Sequence, residues 1–471
     1  MEDLYQKLLD YASGEAYPFH MPGHKRQALP VDRACSIDIT EIDGFDDLHH
    51  PEGILRDAME EAAALYGSRR TFFLVNGSSC GILAALSALV PVGGKVLLAR
   101  NCHTSAYHTL FLRHLQPVYV LPELLPALGG LCGAVKPESV EQVLRQDPGI
   151  RAAMIVSPTY EGIVSDISGI AAVCHAHGVA LIVDEAHGAH FSFGKGAFPP
   201  SALTQGADVV IQSLHKTLPA MTQTAVLHIA RNARIDDNML AEYVSLFQST
   251  SPSYVLMASI IACLRQMQAE PQALPLFAGR IAGWREKIAA VPDVSLLDEA
   301  DIGAATGYDV SKLVFAVRGM SGKNVQAWLR KHAKLELEMA APNYALAMTS
   351  LCDTEEGLGR LLAALRQIPK DGAFEPVRGM EPTLPPNEMP PWQVRDCQTI
   401  FLPVEQTIGH ISAETVYLYP PGIPYLTAGE WVTEAVVHQL VQAEQTGFEV
   451  RGSRLRKPGT LGVVALPDVQ A

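Results

Sequence analysis

Two apolar runs of this sequence end in ionisable residues. "IVDEAHGAHF" (182–191) delivers Asp184 and His187, and "VVIQSLHKTLP" (209–219) delivers His215 and Lys216. An acid and an amine thus stand 32 residues apart, each closing a hydrophobic stretch. A third run, "FFLVNGSSCGIL" (72–83), turns at Asn-Gly and presents Ser78 and Ser79 where a helical pattern begins. Unpaired N–H groups and a partial positive charge there suit a phosphate, although serine at such a place also serves as an ordinary N-cap. "RNCHTSAYH" places His103 just past "KVLLAR" (95–100). Pyridoxal 5′-phosphate (PLP) needs this combination: a lysine for a Schiff base, an acid that keeps the pyridine nitrogen protonated, a phosphate seat and a flat ring against its own.

The elements that would position these residues follow from the pattern between about 71 and 230. Short apolar runs ("TFFLV", "KVLLAR", "PVYVLP", "RAAMIVSP", "VALIVDEA", "ADVVIQS", "TAVLHIA") alternate with amphipathic stretches. Strands apolar on both faces that alternate with helices predict an α/β fold with a mostly parallel sheet covered on each side. Ligands of such sheets sit beyond the carboxyl ends of the strands, where Asp184, His103 and Lys216 fall. "SPSYVLMASIIACLRQMQ" (251–268) predicts a long helix with Ser251 as N-cap and Pro252 at its first position. A smaller α/β pattern occupies about 290–370, and the Pro-rich "EPTLPPNEMPPW" (381–392) reads as a connector. The expected division is an N-terminal segment 1–50, a large domain 51–290, a small α/β domain 291–380 and a C-terminal domain 381–471.

Composition narrows the function classes. The 471 residues are too many for one ordinary core; 48% are hydrophobic and 18% charged, as in a packed globular chain. A formal charge of −14 with no basic stripe predicts no nucleic-acid or membrane partner and mildly favours a cationic substrate. Apolar stretches stop short of the ~18 residues a membrane span needs, and residues 1–20 lack a signal-peptide pattern. The eight cysteines are scattered, with no pair or His/Cys cluster at zinc spacing, so the expectation is reduced thiols, a cytoplasmic location and no metal.

The motifs "PFHMPGHK" (18–25), "DITEIDGFDDLHHPEGIL" (38–55), "NGSS", "RNCHTS", "DEAHGAH", "SLHK" and "YPPGIPYLTAGE" (419–430) closely resemble, in order, those of the ornithine/lysine/arginine decarboxylases. These are bacterial PLP enzymes of the aspartate-aminotransferase fold (fold type I), and the chain is similar to their short form, without a receiver-like wing before residue 17. The resemblance implies that Lys216 holds the cofactor, with Ser213 and His215 against its phosphate and Ser78 and Ser79 binding it. Asp184 would pair with the ring nitrogen, and Ala186 and His103 would pack on opposite ring faces, with His187 also lining the cofactor site. Thr250 resembles a threonine that the family lends to the neighbouring subunit's phosphate, which implies a homodimer or larger homo-oligomer with shared sites. The family usually has lysine where this chain has Thr104.

The resulting expectation is decarboxylation of a basic amino acid, arginine or lysine ahead of ornithine, to agmatine, cadaverine or putrescine, serving polyamine synthesis or proton consumption. Lys216 or His103 would return a proton to the α-carbon. Rival readings are another fold-type-I reaction (aminotransferase, lyase or oxidase) and an inactive homologue that regulates a partner. For the distal cation of the substrate the sequence offers Glu430. Thr427 and Glu430 also have capping-box spacing before "WVTEAVVHQLVQ", which accounts for the acid without any substrate.

Overall fold

A computed structural model describes residues 14–20, 23–25, 34, 37–303, 305–370, 372–376, 384–419, 423–445, 449–452 and 459–465. Of the motifs above, residues 21, 22 and 420–422 lie outside the described residues, as do Cys35, most of the N-terminal stretch read for a signal peptide and residues 381–383 of the connector.

The alternating pattern folds into one seven-stranded sheet. Its strands are β1 (Arg70–Leu74), β2 (Lys95–Ala99), β3 (Gln116–Val120), β4 (Ile150–Val156), β5 (Ala180–Asp184), β6 (Val209–Gln212) and β7 (Ala225–Ile229). Their spatial order is 3-2-4-5-6-7-1. All neighbours are parallel except β7, which runs antiparallel to both β6 and β1. Helices α1 (Ile54–Tyr66), α2 (Gly77–Leu89), α3 (Thr104–Leu112), α4 (Pro137–Gln146) and α5 (Ile167–Ala176) precede or link the strands. Side chains alternate between two cores: Phe72 and Leu74 face one, and Phe73 with the following Val75 faces the other. This two-sided burial is why the strands read as continuous apolar runs.

Helices α6 (Asp237–Leu246), α7 (Tyr254–Ala269) and α8 (Ala273–Ala289) follow. The cap of α7 differs from the expectation. Ser253 Oγ accepts the Leu256 N–H at 3.3 Å, so the helix starts two residues later and Pro252 lies ahead of it. Both serines fit an N-cap locally, and the packing of the Tyr254 end selects the second. A smaller antiparallel sheet comprises β8 (Val294–Leu296), β9 (Lys312–Val317), β10 (Met339–Ala340) and β11 (Ala345–Met348), in the order 8-9-11-10. Its inner face shares a core with the large sheet, where Leu313 and Phe315 join Phe73 and Leu214. Residues 17–19 pair in parallel with Leu335–Leu337, so the N-terminal segment is stitched to this smaller layer.

The last region has its own core around Val416, Leu426, Val436, Leu440, Leu461 and Val463. Helices α9 (Gly322–Trp328) and α10 (Glu355–Gln367) precede this region, in which strands β12 (Thr399–Pro403), β13 (Val416–Tyr419), β14 (Ile423–Leu426), β15 (Glu449–Gly452) and β16 (Thr460–Val464) form two small sheets beside helix α11 (Glu434–Gln445). Among the described residues no helix is long and apolar enough to cross a membrane, and the seven described cysteines are unbridged.

Candidate active site

The sheet's register brings the site together. Asp184 ends β5 opposite Ile211 of β6, and Val156 of β4 lies on its other side. One residue past β6, Ser213 leads into a single helical turn, Leu214–Thr217, that carries His215 and Lys216. A close approach holds this turn from outside: the Gly23 N–H donates to the His215 carbonyl at 2.6 Å, and a Cβ on Gly23 would lie 2.9 Å from the Leu218 carbonyl oxygen.

Lys216 Nζ lies 3.1 Å from His187 Nε2. The lysine keeps some accessible surface, as a group in a recess does, yet burial dominates its titration. Burial lowers its pKa below the ordinary lysine value; Asp184 and then Glu338 oppose that, and Lys312 adds to it. His187 is pushed well below the ordinary imidazole value by burial, then by Lys216 and Lys312, so it faces the amine as a neutral ring. The Tyr160 ring packs against it at a tilt, with ring centroids 4.6 Å apart.

Asp184 is buried, and its Oδ1 accepts the Ala186 N–H at 3.1 Å. His103 is the N-cap of α3, with Nδ1 2.8 Å from Ser105 Oγ and accepting the Ser105 N–H at 3.3 Å. It is solvent-accessible but walled in by protein, and that desolvation lowers its pKa; Asp184 opposes the shift, while Lys216 and His108 reinforce it. His103, Asp184 and Lys216 are therefore within electrostatic reach of one another at the carboxyl ends of β2, β5 and β6. Thr104, the first residue of α3, brings no cation there.

The other expected groups fall as follows. Ser78 and Ser79 lie in the first turn of α2, and neither caps it; the N-cap is Asn76, whose side chain accepts the Ser249 N–H at 3.3 Å. That bond holds Ser249, the chain neighbour of exposed Thr250, at the start of α2. Ser213 is fully buried, and its hydroxyl has no hydrogen-bond partner. His215 Nδ1 lies 2.9 Å from the Thr224 carbonyl, and burial lowers its pKa to about 4.

Glu430 is the exception. It is completely buried, and both carboxylate oxygens are taken by Arg100 at 2.8 Å. Oε2 also accepts the Thr427 N–H at 2.7 Å, which is the bond expected of the T-x-x-E spacing, but it closes a turn and α11 begins only at Glu434. A carboxylate neutralised by a bidentate guanidinium has no charge to offer a substrate cation, so the substrate-binding reading of Glu430 is corrected.

Sequence reasoning passed over several neighbours. Glu338 accepts a short hydrogen bond from Tyr160 and bears electrostatically on Lys216 and His215. Fully buried Lys312 pairs with Asp309 at 2.9 Å, and His190 lies 3.3 Å from the same carboxylate. Tyr160 follows β4 and was open to the strand-end rule. Glu338 and Lys312 sit in the smaller layer, and no local pattern ties them to the large sheet.

Solved structures of similar shape share the fold. Lysine decarboxylase A from Pseudomonas aeruginosa superimposes with a TM-score of 0.75 at 20% identity, covering 91% of this chain and 74% of that one. The sequence itself matches the family description "Orn/Lys/Arg decarboxylase, major domain" over residues 2–275 and "Orn/Lys/Arg decarboxylase, C-terminal domain" over 374–452. An arginine decarboxylase of Halalkalibacterium halodurans is 32% identical over 95% of this chain and 94% of its own length. One from Bacillus subtilis is 30% identical over 95% of each. The chain belongs to the Orn/Lys/Arg decarboxylase family.

Proposed function

We propose that this chain decarboxylates a basic amino acid with PLP held at Lys216, and that arginine is its first substrate, ahead of lysine and ornithine. The observation that carries the reading is the Lys216 amine, 3.1 Å from a neutral His187 and within reach of the buried Asp184. The residues present fit the cofactor. The orphaned Ser213 hydroxyl beside the lysine turn is an unspent donor for a phosphate oxygen, and Ser78 and Ser79 add two hydroxyls at the α2 N-terminus.

When bound, PLP supplies an electron sink conjugated to the substrate α-carbon. The protein's part is derived from its own groups. Burial keeps a fraction of Lys216 unprotonated, and it is the uncharged amine that attacks a carbonyl. Asp184, buried at the end of β5, would keep a proton on the ring nitrogen. Ala186 and His103 would hold the cofactor ring between them. His215 donates Nδ1–H to the Thr224 carbonyl, which fixes its ring beside the lysine turn. Thr250, which is exposed, would serve the phosphate of a neighbouring copy. Lys216, close to His187, would return the proton to the substrate α-carbon, with His103 as the second candidate donor. The names of the two full-length relatives support arginine.

The test is product analysis of the purified yellow protein with arginine, lysine and ornithine separately. Agmatine and carbon dioxide in equal amounts from arginine are the expected result. A keto acid in place of carbon dioxide would establish a transaminase. No turnover of any of the three would overturn the assignment.

A further inference from the structure

The turn that carries His103 is gripped on both flanks by the C-terminal region. On the N-terminal flank stands Arg100, three residues before the histidine and 1% exposed in its side chain. Its two Nη atoms donate to the two oxygens of Glu430 at 2.8 Å, Nε donates to the Pro424 carbonyl and Nη2 to the Tyr425 carbonyl, both at 3.1 Å. The guanidinium also lies over the Tyr119 ring, 4.6 Å from its centroid. The Arg100 backbone is pinned in turn, its N–H donating to the Val120 carbonyl and its carbonyl accepting from Tyr107 Oη, both at 2.9 Å.

On the C-terminal flank, α3 begins at Thr104 and packs Phe111 against Val394, Ile411, Ala413, Ala428 and Val464. Just beyond α3 the His114 ring stacks on Trp392, with centroids 4.5 Å apart and planes 16° apart. His103 therefore lies between two contacts to residues 391–464, one made by Arg100 and the other by Phe111 and His114. A bidentate pair with two further carbonyl acceptors fixes direction as well as distance, which apolar packing alone does not do.

We propose that Glu430, acting through Arg100, and Trp392, acting through His114, set the position of His103, so that the C-terminal region is a positioning element of the active site. This rests on the reading that His103 faces the cofactor ring. Neither Glu430 nor Trp392 touches substrate or cofactor; both act through the His103 turn.

The test uses full-length holoenzyme carrying Glu430→Gln or Trp392→Ala, each with and without His103→Ala. With His103 present, each substitution should lower kcat about fivefold or more and change KM less than about twofold. On the His103→Ala background the same substitutions should cost less than about twofold, because the residue they act through is gone. Hydrogen–deuterium exchange should rise over residues 100–112 and stay unchanged over 180–184. If Glu430→Gln does not fold, Trp392→Ala, whose ring is only partly buried, carries the same expectations alone. Unchanged kcat, losses that multiply fully with His103→Ala, or unchanged exchange over 100–112 would overturn the proposal. Should the wild-type protein decarboxylate no basic amino acid, the functional reading fails by itself, and the exchange measurement still decides whether the C-terminal region holds the turn.

Discussion

Lys216 is a desolvated amine in a recess with a neutral imidazole at 3.1 Å, an arrangement that favours chemistry over stability. Burying a cation costs free energy, so removing it does not weaken the fold. Lys216→Ala should abolish the cofactor's covalent absorbance band and turnover while the melting temperature holds or rises; turnover near the wild-type rate would disprove the role. His228 makes the opposite case, a histidine used for structure. It is fully buried between Thr71 Oγ1 at 2.8 Å and Gln212 Oε1 at 3.3 Å, and burial lowers its pKa to about 3. As pH falls below 6.5 the unfolded chain takes a proton that the folded one refuses, so stability is lost with acid down to the folded pKa. His215, with a pKa of about 4, acts in the same direction. Glu185, raised by burial to about 7, acts against them between 7 and 4.5, because the folded carboxyl holds a proton that the unfolded one has released. The two histidines outweigh it. His228 alone should cost about 3 kcal/mol between pH 7 and pH 4. His228→Gln should flatten the fall in melting temperature over that range, and an unchanged slope would show that His228 is not responsible.

At the scale of elements, the seven strands were legible because two-sided burial writes continuous apolar runs into the sequence, and the runs end within a residue or two of the observed strands. The strand-end rule then located Asp184, His103 and Lys216 without any knowledge of strand order. Helix ends were less legible. Ser251 and Ser253 are chemically identical caps, and only the packed structure shows that Ser253 binds the Leu256 N–H. Ser253→Ala should therefore cost about 1 kcal/mol. Ser251→Ala should stay within about 0.5 kcal/mol of wild type. Denaturation midpoints of the two variants compare them directly, and equal midpoints would return the cap to an open question. The T-x-x-E spacing before α11 teaches a similar lesson. Its hydrogen bond forms, but in a turn ahead of the helix, because Arg100 claims the carboxylate.

At the scale of the whole molecule, the proposal that Thr250 serves a neighbouring copy has a direct test. Thr250 is exposed, and its neighbour Ser249 is bonded to Asn76 at the start of α2 in the same chain. If Thr250 completes a neighbouring subunit's site, Thr250→Ala should hold PLP less tightly. Mixing it with Lys216→Ala protein should then restore wild-type retention at one site per mixed dimer. Retention unchanged on mixing, or full activity in a monomer, would place Thr250 in its own chain's site or in none. What the sequence by itself determined is the sheet, its helices and the residues at strand ends, since each depends on neighbours a few positions away. Tertiary structure alone decided that Glu430 meets Arg100 across 330 residues, that Glu338 and Lys312 of the smaller layer bear on the lysine, and that the C-terminal region grips the His103 turn. The reason is physical: a buried charge is committed to whatever counter-charge the packed layers bring within about 3 Å, and that distance has no counterpart in sequence spacing.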